Sequence, residues 1–221
     1  MIGGANKSLL VTENDLKFRS PFGMILSGPT GSGKTTLLMK LLTNRDSMIT
    51  PPPASVLFCY GEFDNHVVQL QQEGITVCSG LPTDQMLREC EKPCLLILDD
   101  LLSLASERFL TDLFTKKSHH QNISVIFVTQ NLYEKNIKVA RNNSQYIILT
   151  RTAHMLQIRT IAQQLFPRQL DYMLSAYKMA SDAPYGYLLL DLHPATNPLL
   201  RLRTRIFPDD DDRTIYLPKT L

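Results

Sequence analysis

Eight residues constrain this 221-residue chain more than any others: Gly28-Pro29-Thr30-Gly31-Ser32-Gly33-Lys34-Thr35. They satisfy the pattern G-x-x-x-x-G-K-[ST]. An apolar run, Phe22–Leu26, precedes them, and a helix-like run, Thr36–Leu42, follows. A strand, a glycine-rich turn and a helix in that order make a cradle for phosphate. The glycines let successive backbone N–H groups turn inward as a nest. The helix N-terminus adds partial positive charge at the same place. Lys34 is expected to reach the outer phosphates, and Thr35 to offer its hydroxyl to Mg²⁺. The loop as a whole, with Thr36 beside it, is the expected nucleotide-binding segment. A glycine-rich turn that binds nothing is the bland alternative.

The rest of the chain fits an α/β domain. Ser55–Tyr60, Ile75–Cys78, Cys94–Leu98, Ile123–Val128 and Tyr146–Leu149 are short, continuously apolar runs. Strands apolar on both faces indicate a mostly parallel central sheet flanked by helices. The expected helices are Lys34–Leu42, Thr83–Cys90, Ser106–Lys117, Met155–Phe166 and Gln169–Ala180. Near the end, Tyr185–Asp191 and Leu199–Phe207 flank the proline-rich turn His193–Pro198, which reads as an added C-terminal antiparallel β-hairpin. The expected layout is an N-terminal arm over 1–20, one domain over 21–207 and a tail over 208–221.

Composition removes several classes. At 43% hydrophobic and 20% charged residues the chain resembles an ordinary globular protein. No apolar run is long enough to span a bilayer. The first residues lack the layout of a secretion signal, so the expectation is an intracellular protein or one carried in a particle. A net charge of +2 excludes a uniformly basic coat, so contact with DNA would have to come from a local patch or from a ring that concentrates charge. Asp209–Asp212 reads as a solvated acidic loop. Cys59, Cys78, Cys90 and Cys94 are expected to be reduced thiols; the C-x-x-x-C spacing of the last two suits zinc poorly.

Leu95–Asp100 is an apolar run ending in two carboxylates. In a parallel sheet ligands gather at the C-terminal ends of strands, so Asp99 and Asp100 are expected on the same rim as the phosphate loop. Asp99 is the candidate Mg²⁺ ligand, and Asp100 the candidate base or orienter of an attacking water. A turn-opening pair is the alternative. Gln130, at the tip of the next run, is the candidate sensor of the γ-phosphate. An arginine from a neighbouring subunit often completes such chemistry; Arg141, Arg151 and Arg159 are the candidates, and the residues themselves do not choose among them.

Gly28–Thr35, Leu95–Asp100 and Val128–Asn131 together resemble the FtsK–HerA superfamily of DNA-pumping P-loop ATPases, RecA-like in architecture. Leu113–His120, Asn122–Leu132, Gln157–Ala162 and Tyr185–Pro194 are similar to its viral genome-packaging branch, that of poxviruses, Polintons and adintoviruses. The likeness runs from about Phe22 to about Phe207. It implies ATP and Mg²⁺ as cofactors, Gln130 as sensor, and an arginine entering from the next protomer. It also implies a homo-oligomeric ring, pentamer or hexamer, that threads double-stranded DNA into a capsid through capsid or portal proteins. The setting it implies is the infected host cell, nucleus or cytoplasmic factory, with transient residence at the capsid vertex. Many superfamily members carry Asp-Glu where this chain has Asp99-Asp100, which makes the role of Asp100 less secure than that of Asp99.

Two basic clusters are candidate DNA contacts: Lys116-Lys117 with His119-His120, and Lys135, Lys138 and Arg141. Each is equally readable as a solvated helix face. Three other functions stay open. A viral hexameric replicative helicase is disfavoured by glutamine, rather than asparagine, after the fourth core strand. A P-loop nucleotide kinase would need an arginine-rich lid, and none is evident between Tyr133 and Gln145. A module that binds ATP without turnover differs only in hydrolysis.

Overall fold

The computed structural model describes residues 11–218. Nine strands among them form one sheet: β1 (Gly23–Ser27), β2 (Ser55–Tyr60), β3 (Thr76–Ser79), β4 (Cys94–Asp99), β5 (Ile123–Thr129), β6 (Tyr146–Thr150), β7 (Tyr187–Asp191), β8 (Leu202–Thr204) and β9 (Thr214–Ile215). Their spatial order is β9-β8-β7-β6-β1-β5-β4-β2-β3. The six strands from β6 to β3 are parallel, and β7, β8 and β9 add antiparallel pairings at one edge.

Continuous apolarity follows from two covered faces. On one face α1 (Lys34–Thr43) and α2 (Asn65–Gln72) pack Leu38, Leu41, Leu42, Val67 and Leu70 onto Met24, Leu26, Phe58, Ile97 and Ile126. The other face is covered by α3 (Asp84–Glu89), α4 (Glu107–Asp112), α5 (Lys138–Asn142), α6 (Met155–Leu165) and α7 (Leu170–Ala180). There Leu87, Leu110, Ala140, Ile161 and Ala176 meet Ile25, Leu57, Leu98, Phe127 and Ile147. Odd and even strand positions serve opposite faces, so both sets are mostly apolar, and the polar exceptions such as Ser27, Thr129 and Thr150 stand at strand ends.

The helix expected over Ser106–Lys117 starts one residue later and runs further. After α4 the backbone widens into a π-helical stretch at Leu113–Lys117 and returns to α geometry at Ser118–His120. Thr115 Oγ1 donates to Thr111 O at 2.6 Å and Ser118 Oγ to Phe114 O at 3.4 Å, the back-bonding that bends helices.

Part of the segment expected as an arm is built into the body. Phe18–Arg19 pairs in parallel with Ile49–Thr50, and the Phe18 ring meets Tyr146 edge-on at 4.8 Å. Within the expected tail, Thr214–Ile215 pairs with β8. A buried ion pair, Arg203 Nη2 to Asp191 Oδ2 at 2.6 Å, joins β7 to β8, while Arg203 Nη1 donates to Leu16 O at 2.8 Å. No helix among the described residues is long and apolar enough to cross a membrane.

Candidate functional site

Strand register puts the chemistry-bearing residues on one rim. Ser27, the last residue of β1, pairs with Thr129 of β5; Val128 pairs with Asp99 of β4; Asp99 pairs with Tyr60 of β2. β5 lies between β1 and β4, so the residue following its tip stands between the phosphate loop and the acidic pair. A cavity of about 620 Å³ opens there, and Lys34, Thr35, Asp99, Asp100 and Gln130 all line it. Thr30, Gly31, Gly33 and Thr36 complete its phosphate-loop wall.

The loop has the backbone that a nest requires. Gly31 and Gly33 sit at φ +76° and +88°, in the left-handed region glycine tolerates. Gly33 is the N-cap of α1 and supplies no side chain to the helix end, so the first turn keeps its N–H groups for an anion. Gly28 N donates to Thr129 O at 3.2 Å, tying the loop to β5. Space decides the residue at 28: a Cβ there would lie 1.7 Å from Thr150 Oγ1. That hydroxyl donates to Ser27 O at 3.3 Å and shares a hydrogen bond with Ser32 Oγ at 2.7 Å, bracing the loop from beneath. Gly28→Ala should therefore destabilise the fold by about 1–3 kcal/mol and weaken nucleotide binding. Thr150→Ala in the same chain should recover part of the loss, as read by urea unfolding and calorimetric titration with ATP.

Lys34 is half-buried, and its Nζ donates to Pro29 O at 2.9 Å. Burial lowers its pKa, and the carboxylates of Asp99 and Asp100 oppose that shift. Burial likewise pushes Asp99 up to about 6, and the neighbouring charges of Asp100 and Asp64 add to it; Lys34 and His66 act the other way. The site thus holds more negative than positive charge. Thr35 and Asp99 present hard oxygen donors beside it, the donor chemistry that Mg²⁺ takes when phosphates and water fill its remaining positions.

Asp100 is exposed and has φ +51°, a left-handed turn that aspartate adopts more readily than most residues. Its carbonyl lies 2.3 Å from where a Cβ on Gly61 would stand, and Gly61 N donates to Asp99 O at 3.0 Å. The tips of β2 and β4 are locked together in this way. Gln130 is exposed because Thr129 and Asn131 hold the turn around it: Asn131 N donates to Thr129 Oγ1 at 3.4 Å and Tyr133 N to Asn131 Oδ1 at 2.8 Å.

The three arginines separate. Arg141 is buried, its Nη1 donates to Leu132 O at 2.8 Å, and its guanidinium stacks 4.3 Å from the centre of the Tyr133 ring. It lines a different cavity, with Phe114 and Gln145, and its own chain uses it for packing. Arg151 is exposed and donates to Asp182 O at 3.2 Å. Arg159 is exposed on α6, two residues after Gln157, which shares a narrow cleft with Gln130 and Gly28.

Several residues at the site were not among the sequence candidates. Glu62, Phe63 and Asp64, on the turn after β2, line the cavity, and Asp64 caps α2 through His66 N at 2.9 Å and Val67 N at 3.2 Å. Tyr185 enters from the loop before β7. An acidic turn following an apolar strand was the available clue for Glu62 and Asp64; for Thr150 and Tyr185 there was none. Of the basic clusters, Lys116–His120 directly precedes β5 and so lies toward the opposite rim of the sheet, with Lys116 paired to Asp112 at 3.2 Å and Lys117 to Asp84 at 2.5 Å.

No protein-family model and no curated protein matches the chain. Solved structures do. One is the genome packaging NTPase B204 from Sulfolobus turreted icosahedral virus 2 in complex with sulfate, at 12% identity and a TM-score of 0.55, covering 90% of this chain and 97% of that one. The same protein in complex with AMPPCP matches at 13% identity and a TM-score of 0.54, with 90% and 97% covered. B204, the DNA-packaging ATPase from Sulfolobus Turreted Icosahedral Virus, matches at 12% identity and a TM-score of 0.54, with 90% and 98% covered. Identity at this level speaks to fold: the chain has the α/β architecture of these nucleoside triphosphatases, a mostly parallel sheet with helices on both faces and antiparallel strands at its C-terminal edge.

Proposed function

We propose that this chain is an ATP-hydrolysing, double-stranded-DNA translocase of the viral genome-packaging type, in the poxvirus- and Polinton-like branch, working as a ring of its own copies. One observation carries the reading: Lys34, Thr35, Asp99, Asp100 and Gln130, which are far apart in the chain, face one cavity at one rim of the sheet. The fold likeness to B204, a protein described as a DNA-packaging ATPase, supports the choice among P-loop functions.

In this reading the loop N–H groups and α1 hold the phosphates, and Lys34 Nζ leaves Pro29 O for the outer phosphate oxygens. Thr35 and Asp99 would hold Mg²⁺, which would draw charge from the phosphate oxygens. Asp100 accepts a proton from the attacking water as the water oxygen bonds to the γ-phosphorus and the bond from that phosphorus to the β,γ-bridging oxygen breaks, releasing ADP and phosphate. The Gln130 amide donates to the γ-phosphate and reports its presence to β5. Arg159, which follows the cleft-lining Ile158 on α6 and is exposed, is the arginine assigned to the neighbouring protomer's site. Capsid or portal proteins at the vertex of an assembling particle in the infected cell are the expected partners.

The test is to follow ATP turnover and particle mass together, with and without duplex DNA, in the presence of Mg²⁺. The expected result is assembly into five- or six-membered rings and hydrolysis that rises with duplex DNA and falls with added salt. Rings that hydrolyse no ATP, or a strict preference for single strands with unwinding, would contradict it.

A further inference from the structure

A second cavity, of about 440 Å³, opens beside the phosphate cavity and shares Gly33, Thr36 and Tyr185 with it. Its floor is apolar: Leu37 from α1, Tyr187 from β7, and Phe207 beyond β8. Its rim is formed by Tyr185, which is 70% exposed, and by Arg205.

Both rim residues have strained backbones. Tyr185 has φ +59° and Arg205 has φ +52°. A bulky side chain in the left-handed region is a real outlier, held there only by surrounding structure, and such strain collects at binding sites. The Tyr185 ring is fixed against the phosphate loop itself: its Cδ1 lies 3.1 Å from where a Cβ on Gly33 would stand. The other polar groups of the cavity are occupied with each other. Lys40 Nζ donates to Asp210 Oδ1 at 2.7 Å and sits 4.5 Å over the Phe207 ring. The Arg205 Nη1 group pairs with Asp212 at 2.5 Å, which leaves its flat face as what it offers a ligand.

A large exposed aromatic ring, a flat guanidinium and an apolar floor, in a cavity that shares Gly33 and Thr36 with the phosphate cavity, suit a planar heteroaromatic base on a ribose. We infer that this cavity is the nucleoside subsite: the base stacks on Tyr185 and Arg205 while its phosphates lie on the loop. The inference rests on the phosphate-site reading above. Because Lys40 and Asp210 pair with each other, the cavity reads the faces of a base rather than its edges. It discriminates weakly between purines.

The experiment is calorimetric titration, in Mg²⁺, of the wild-type protein and of Tyr185→Ala, Tyr185→Phe and Arg205→Ala with three probes: ATP, GTP and inorganic tripolyphosphate. Tyr185→Ala should weaken ATP and GTP alike by roughly tenfold, the scale of one lost base–aromatic stack, and leave tripolyphosphate unchanged. Tyr185→Phe should bind as wild type, because the ring is what stacks. Arg205→Ala, at an exposed position, should weaken both nucleotides and spare tripolyphosphate. The inference is overturned if Tyr185→Ala binds ATP as wild type does, or if ATP and tripolyphosphate weaken equally, which would make Tyr185 a prop for the loop. A wild-type preference for one purine above about a hundredfold would overturn face-only recognition. A wild type that binds neither ATP nor tripolyphosphate refutes the phosphate-site reading itself, a pattern distinct from any of these.

Discussion

Lys34→Ala should leave the protein folded and reduce ATP turnover by about 10²–10³-fold, the range seen when one preorganised charge or donor is removed from a developing anion. The fold should survive because α1 is held by its buried face. Leu38, Leu41 and Leu42 are each almost fully buried, worth about 1.5–3 kcal/mol apiece. The ammonium itself is half-buried, and burial already disfavours its charge. Its removal takes away that cost together with its attraction to Asp99 and Asp100, so the stability change should stay within about 1 kcal/mol. Circular dichroism melts and phosphate release measured side by side separate the two effects. Lost turnover with a lost fold would mean that Lys34 acts as a structural residue.

Asp99→Asn should abolish Mg²⁺-dependent turnover, by at least about a hundredfold, while making the nucleotide-free protein more stable. The sign follows from the carboxyl's displacement to about 6, above its ordinary 3.8. Between those pH values the folded protein holds a proton that the unfolded chain releases. Stability from this group is therefore full at acid pH and declines as pH rises through 6. Above that pH the ionised, poorly solvated carboxylate costs on the order of 2 kcal/mol, reduced where water still reaches it. Asparagine cannot ionise, so its advantage should be largest near pH 7–8 and vanish toward pH 4. With Mg²⁺ and a non-hydrolysable nucleotide the order should reverse, since a ligand that binds the folded wild type stabilises it by mass action. Melting curves across pH, with and without both ligands, check each part. An Asp99→Asn variant less stable than wild type at pH 8 without ligand would contradict the electrostatic account.

Legibility in the sequence followed the range of the interactions involved. The phosphate loop, the acidic pair after β4 and Gln130 after β5 are each set by a few adjacent residues, so composition and spacing exposed them. The parallel core and the C-terminal antiparallel strands were readable because two covered faces force unbroken apolar runs. The order of strands was not written locally: β5 enters between β1 and β4 through pairings of Met24 with Ile126 and of Ile97 with the same residue. The fate of Arg141 was equally hidden. An arginine three residues after Lys138 and followed by two asparagines reads as surface, and only the fold brings Leu132 O and the Tyr133 ring to it. Thr150 and Tyr185 were invisible for the same reason, being ordinary residues at the ends of β6 and before β7 that matter because Gly28 and Gly33 arrive beside them.

The central claim is that one nucleotide's outer phosphate and its magnesium lie between Lys34 and the Thr35–Asp99 pair. The most direct measurement is a crystal structure of the protein with AMPPCP and Mg²⁺. The account predicts the γ-phosphate within hydrogen-bond reach of Lys34 Nζ and the loop N–H groups, and the metal beside the Thr35 hydroxyl with Asp99 in its inner or outer coordination sphere. A triphosphate bound away from Gly28–Thr35, or a metal on the far side of the sheet from Asp99, would contradict it.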